Sequence, residues 1–188
     1  KNKKFKHYHS LILLLIDYLT DRKDNQHHVE VLKQYLINCE NWGYYEVTLF
    51  INALIYFSND FIDGVYGRVK KNFVLNSNQL IRHRHEMAIL LFNIIEKKLL
   101  EKDTVKLSYY LSELLSLKEN TLDNMYVQTM IKYFNCIITA IINNNTDKNE
   151  INANISKIID FLDFIELHTK AKQCKTFYHK IEKLYRIE

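Results

Sequence analysis

Residues 88–95, Ala-Ile-Leu-Leu-Phe-Asn-Ile-Ile, and residues 130–137, Met-Ile-Lys-Tyr-Phe-Asn-Cys-Ile, align 42 residues apart. A looser copy, Leu-Phe-Ile-Asn-Ala-Leu at 49–54, lies 41 residues before the first. Each copy sets an asparagine beside an aromatic residue, or one residue from it, inside an apolar helix. A period near 40 residues suits two-helix solenoid repeats, in which stacking buries the face that one helix pair leaves open.

The rest of the chain reads the same way. Apolar residues recur at helical spacing almost throughout, which predicts nine helices, at about 5–20, 26–40, 44–58, 60–73, 79–101, 103–118, 123–144, 150–167 and 169–186. There is no proline, and glycine stands only at Gly43, Gly64 and Gly67. Sheets need tight turns that favour glycine, so this composition points to long helices joined by short connections and hence to antiparallel neighbours. The expected fold is all-α, a right-handed, tetratricopeptide-like array of helical hairpins forming a single domain over 1–188. Asp21–Asn25 reads as a polar break, and Asn143–Asp147 as the clearest loop, because short amides compete with helical backbone bonds. Asn76-Ser77-Asn78 offers a cap for the fifth helix, Asp103 for the sixth and Thr121 for the seventh.

Several function classes are disfavoured. No two glycines have the spacing of a phosphate-binding loop. Of the histidines, His7/His9 and His83/His85 are two apart, on opposite helix faces, and His27 and His28 are adjacent. None forms the i,i+4 pair with a carboxylate that zinc hydrolases use. No Ser, Cys or Lys sits in a nucleophile signature. Cys39, Cys136 and Cys174 are scattered and odd in number, which suits a reducing compartment. The longest apolar run, Leu11–Ile16, is far short of the roughly 18 residues a membrane span needs. The formal charge of +4 is mildly basic, and its concentrations, Lys1–Lys6 and Lys170–Lys175, lie near the two ends. We therefore expect a binding protein with no cofactor, no metal and no catalytic residue, and no tight operator binding by this chain alone. The chain opens on Lys1 rather than methionine, which suggests an excised domain.

The asparagines carry the candidate site. Asn52 shares its helix face with Tyr45, Thr48 and Tyr56; Asn93 with Arg82, Glu86 and Ile89; Asn135 with Gln128, Ile131, Lys132 and Thr139. An amide side chain donates and accepts at once, so a row of them along a concave layer of helices can hold an extended peptide by its backbone. The alternative is that each asparagine bonds a neighbouring helix or water. Arg82 could pair with Glu86 within its helix or meet a ligand carboxylate, as could Lys132; Arg84 points about 200° away. The expected peptide contacts are Asn52, Arg82, Ile89, Asn93, Gln128, Ile131, Lys132 and Asn135. The C-terminal helix carries Phe177, Tyr178, Ile181, Leu184 and Tyr185, more apolar surface than one-sided packing needs, and is the expected dimerisation element. The other possibility is that it only caps the array.

Residues 35–57 read Tyr-Leu-Ile-Asn-Cys-Glu-Asn-Trp-Gly-Tyr-Tyr-Glu-Val-Thr-Leu-Phe-Ile-Asn-Ala-Leu-Ile-Tyr-Phe. This resembles the Trp-Gly-x-Tyr-Glu…Leu-Phe-x-Asn segment of the Rgg/GadR/MutR family of bacterial regulators, met here by Trp42, Gly43, Tyr45, Glu46, Leu49, Phe50 and Asn52. The motif has a physical reading as scaffold. Gly43 permits a sharp turn, Glu46 complements the dipole of the next helix, and Trp42 plugs the hairpin core. The resemblance implies a cytoplasmic, quorum-sensing transcriptional regulator of Gram-positive bacteria. Such a regulator is a homodimer with an N-terminal helix-turn-helix domain and a repeat domain that binds a short, imported hydrophobic peptide on its concave face. Nothing in the chain resembles the DNA-binding module, so DNA contact is expected only through that missing domain. The other function held open is a helical-repeat scaffold whose ligand is another protein.

Overall fold

The computed structural model describes residues 3–20, 26–75, 80–121, 123–142 and 148–186. Among these are nine α-helices and no strand: α1 Lys3–Thr20, α2 Gln26–Asn38, α3 Tyr44–Ala53, α4 Asn59–Leu75, α5 Leu80–Leu100, α6 Leu107–Ser116, α7 Met125–Ile142, α8 Lys148–Phe164 and α9 His168–Tyr185. Short 3-10 turns follow α3, at Leu54–Tyr56, and precede α7, at Glu119–Thr121. The break at 21–25, the cap expected at 76–78 and the loop expected at 143–147 lie outside the described residues.

The helices stop without glycine. After α5 the chain turns at Lys102, with φ of 57°. Lys102 N–H donates to Leu99 O and Asp103 N–H to Lys98 O, the paired bonds of a Schellman stop. After α8, Glu166 does the same at φ 64°, with Glu166 N–H on Asp163 O and Leu167 N–H on Leu162 O. A side chain in the left-handed region costs about 1 kcal/mol or more against glycine.

Two expected caps are corrected. Asp103 does not start α6, which begins at Leu107; its carboxylate accepts from Lys98 Nζ at 2.7 Å instead. Thr121 does not cap α7. Asn124 does, its Oδ1 accepting the Val127 N–H at 3.0 Å, while the Thr121 hydroxyl donates to Leu117 O. The helix starting at Asn59 is capped by Ser58, whose Oγ accepts the Phe61 N–H.

The chain forms two compact units, Lys1–Ile94 and Ile95–Glu188. In the first, α1, α2 and α3 pack on one another around Leu32, Leu36, Leu49 and Phe50. Cross-links reinforce this packing: Tyr56 OH donates to Leu14 O at 2.7 Å, and His28 Nδ1 meets Ser10 Oγ at 3.1 Å. In the second, α6, α7, α8 and α9 pack in sequence around Tyr110, Phe134, Ile137, Leu162 and Ile181. The aligned segments agree in burial. Leu91 and Tyr133, Phe92 and Phe134, Ile95 and Ile137 are buried pairs, and Asn93 and Asn135 are both half-buried. By length and composition α7 is apolar enough to cross a membrane, but seven of its residues, Val127 to Ile138, are core residues of the second unit.

Candidate functional site

The α9 sequence divides the helix lengthwise. Ala171, Cys174, Tyr178 and Ile181, at helical spacing, are buried. Thr169, Lys172, Gln173, Thr176 and Lys180 are exposed on a neighbouring face. That second face forms one wall of a cavity of about 570 Å³, closed by Glu96 and Leu100 from the end of α5 and by Tyr133 from α7. Tyr133 OH donates to Cys174 O at 2.7 Å and fixes the two helices together. Leu100, Tyr133, Cys174 and Phe177 give the cavity an apolar lining, and Lys170, Lys172 and Lys180 add positive charge. This volume and mixture suit a small ligand held by apolar contact and oriented by a few charges.

The titratable groups are set by burial. It pushes the Cys174 thiol up to about 11, against the pull of Lys170, so the sulfur is protonated near neutral pH and is no nucleophile. It pushes the Tyr133 phenol up further still. Burial also raises the Glu96 carboxyl, and Lys170 only partly offsets this. A carboxyl raised in the folded state ionises first in the unfolded chain as pH rises, so its contribution favours unfolding above the ordinary carboxyl range and vanishes below it. Glu96→Gln should therefore stabilise the protein at pH 7 and leave it unchanged near pH 4. Paired denaturation curves at the two pH values check this; equal stability at pH 7 would count against it.

Of the eight expected peptide contacts, the seven whose side chains are described do not line this cavity. Asn52 is exposed, and its Nδ2 donates to Thr48 O one turn back in its own helix at 2.8 Å. Gln128 is tied inside the second unit, its Nε2 donating to Lys118 O at 2.8 Å and to Thr121 Oγ1 at 3.0 Å. Ile131 is a core residue. Lys132 is exposed, and Ile89, Asn93 and Asn135 are half-buried. The Arg82 side chain lies outside those described. Asn135 and Tyr133 are two residues apart, about 200° around an ideal helix, so the α7 stripe and the α7 wall of the cavity point in different directions. The α9 wall is not among the expected contacts, although the lysines at 170, 172 and 175 mark that segment as basic.

Of the expected dimerisation residues, Tyr178 and Ile181 are buried inside the second unit, and Tyr178 OH donates to Asn152 Oδ1 at 2.6 Å. Phe177, Leu184 and Tyr185 are half-buried, with Tyr185 OH donating to Leu99 O at 3.0 Å. A terminal helix in such an array has an inner face to satisfy before it meets any partner.

In the first unit, the Trp-Gly segment holds α2 to α3. Trp42 is buried edge-on to Phe50. Gly43 has extended backbone, φ −106°, so it supplies no left-handed turn. Its N–H donates to Glu46 Oε2 at 2.9 Å, while Glu46 Oε1 accepts from Tyr35 OH at 2.7 Å. A cleft of about 420 Å³ beside it is lined by Lys6, His7, His27, Glu30 and Tyr35 among others. There the buried His7 ring lies 3.9 Å from Tyr35, and its Nδ1 lies 3.1 Å from Tyr45 OH.

The family model for the C-terminal domain of the HTH-type transcriptional regulator Rgg matches residues 1–176. A crystal structure of RopB is similar at 24% identity, covering 98% of this chain and 80% of that one, with a TM-score of 0.74. A proposed transcriptional regulator from Listeria monocytogenes EGD-e is similar at 13% identity, covering 100% of this chain and 65% of that one, with a TM-score of 0.82. Both show the fold. No curated protein matches the sequence.

Proposed function

The chain belongs to the Rgg family, as the C-terminal domain of an HTH-type transcriptional regulator, and from that premise we propose that it is the ligand-sensing part of a cytoplasmic, peptide-responsive quorum sensor. The cavity in the second unit carries this reading. An apolar lining with three lysines suits a short hydrophobic peptide that presents a carboxylate. The peptide's side chains fill the space between Leu100, Tyr133 and Phe177, and its carboxylate pairs with Lys170, Lys172 or Lys180. In this reading DNA is contacted by the helix-turn-helix domain the family name implies, and the sensing domain also supports a homodimer. The C-terminal helix would contribute to that dimer through Phe177, Leu184 and Tyr185, the members of the expected set that are not fully packed inside.

Titration calorimetry with short hydrophobic peptides tests the sensor reading. We expect saturable heat with at least one peptide, and weaker binding once its C-terminus is amidated. No heat with any peptide, alongside firm binding to a protein partner, would favour the interaction scaffold instead.

A further inference from the structure

The outward face of α1 carries a long exposed apolar stripe, with the Tyr8 ring edge-on to Tyr45. Phe5, Tyr8, Ile12, Leu15 and Leu19 follow the alternating spacing of three and four residues that makes a coiled-coil seam. They are 74, 47, 54, 41 and 81% exposed, and Ile16 extends the seam at 46%. The opposite face of the same helix is occupied: His7, Ser10, Leu11 and Leu14 are buried in the first unit, and His28 and Tyr56 bond to Ser10 and Leu14. The helix cannot roll to hide its outer stripe without breaking these. The exposed residues of α9, by contrast, are threonine, lysine, glutamine and histidine. A contiguous apolar patch of several hundred Å² marks an interaction surface.

We propose that this seam pairs with α1 of a second copy of the chain, antiparallel, about a two-fold axis near Ile12. The stripe is built for that symmetry. Its bulky ends, Phe5 and Leu19, are equidistant from Ile12, so a two-fold sets each against the other and Ile12 against itself. Charge fixes the direction. Lys4 and Lys6 sit at the start of the helix and are exposed, and the only carboxylate in α1 is Asp17 near its end. A parallel pair would bring the two basic ends together. An antiparallel pair separates them by most of the helix length, about 27 Å for 18 residues, and brings each near the partner's partly negative helix C-terminus. The inference rests on the dimer in the proposed function and moves its main contact from α9 to α1.

Light scattering of the intact chain at tens of micromolar is expected to give about twice 22.6 kDa. Ile12→Glu should return it to the monomer with its helical circular dichroism retained, because Ile12 supports no core. Tyr8→Ser is a milder second variant on the same seam. Leu184→Ser should weaken the dimer far less than Ile12→Glu does. Mixed Phe5→Cys and Leu19→Cys chains should crosslink to each other, and a Phe5→Cys chain that crosslinks only to itself would overturn the antiparallel arrangement. A dimer that survives Ile12→Glu and Tyr8→Ser but is lost with Leu184→Ser would overturn the α1 seam and keep the dimer. A wild-type monomer would overturn both the seam and the dimer.

Discussion

Asp103→Ala is expected to lower the unfolding free energy by about 3 kcal/mol, the low end for breaking a buried ion pair, since Asp103 is partly open to solvent. Lys98 is fully buried, its ammonium 2.7 Å from Asp103 Oδ2 and over the Tyr110 ring at 5.5 Å from the centroid. Truncating the aspartate removes the carboxylate that lies 2.7 Å from that buried charge. The backbone bond from residue 103 to Lys98 O survives, so the turn geometry is retained and the loss reads the charge. Removing both charges should be milder. Lys98→Met keeps the length and apolar stem of the lysine, so Lys98→Met/Asp103→Ala should recover much of the loss. Guanidinium denaturation of the wild type, the two single variants and the double variant measures the cycle. A double variant less stable than Asp103→Ala would sink the argument, because the pair would then be worth more than its desolvation cost.

Asp103 also shows where the sequence stops being legible. Aspartate before an apolar run is a good cap signal. Its true partner, Lys98, is five residues back, across a Schellman stop centred on a lysine rather than a glycine, so the usual marker of the turn was missing. Thr121 failed for a related reason. Several short polar residues precede α7, and only the backbone decides that Asn124 is in register with the Val127 N–H. The helices and their repeat were legible because they rest on periodicity over many residues. Leu91 and Tyr133 differ in size yet are both buried, as are Phe92 and Phe134.

The candidate site was less legible because α7 is apolar over more than half its circumference. Spacing alone could not tell that Ile131 faces the core while Lys132 faces water. An asparagine in an apolar helix is costly, but at Asn52 that cost is met locally by Thr48 O one turn back. On α9 the apolar residues stand out in the sequence, and two of them, Tyr178 and Ile181, are buried inside the second unit while Phe177, Leu184 and Tyr185 are half-buried. The polar face, with Lys170, Lys172, Gln173, Thr176 and Lys180, is the one that borders a cavity.

Gln173→Trp is expected to weaken peptide binding by ten- to a hundredfold, about 1.4–2.7 kcal/mol, with the fold intact. Gln173 is exposed on the cavity wall and supports no core residue, so an indole there occupies ligand space at little cost to packing. Thr176→Trp, one turn on, should act the same way from a second direction, while Gln173→Ala, which enlarges the space, should change affinity little. Asn135→Ala serves as the opposing case. If the asparagine stripe holds the peptide backbone, that change costs about 1–2 kcal/mol of affinity and neither tryptophan variant matters. If the cavity is the site, the tryptophan variants block binding and Asn135→Ala leaves it alone. Calorimetry on the four variants, with one peptide that binds the wild type, separates the two. Tight binding by both tryptophan variants would show that the peptide lies elsewhere on the domain.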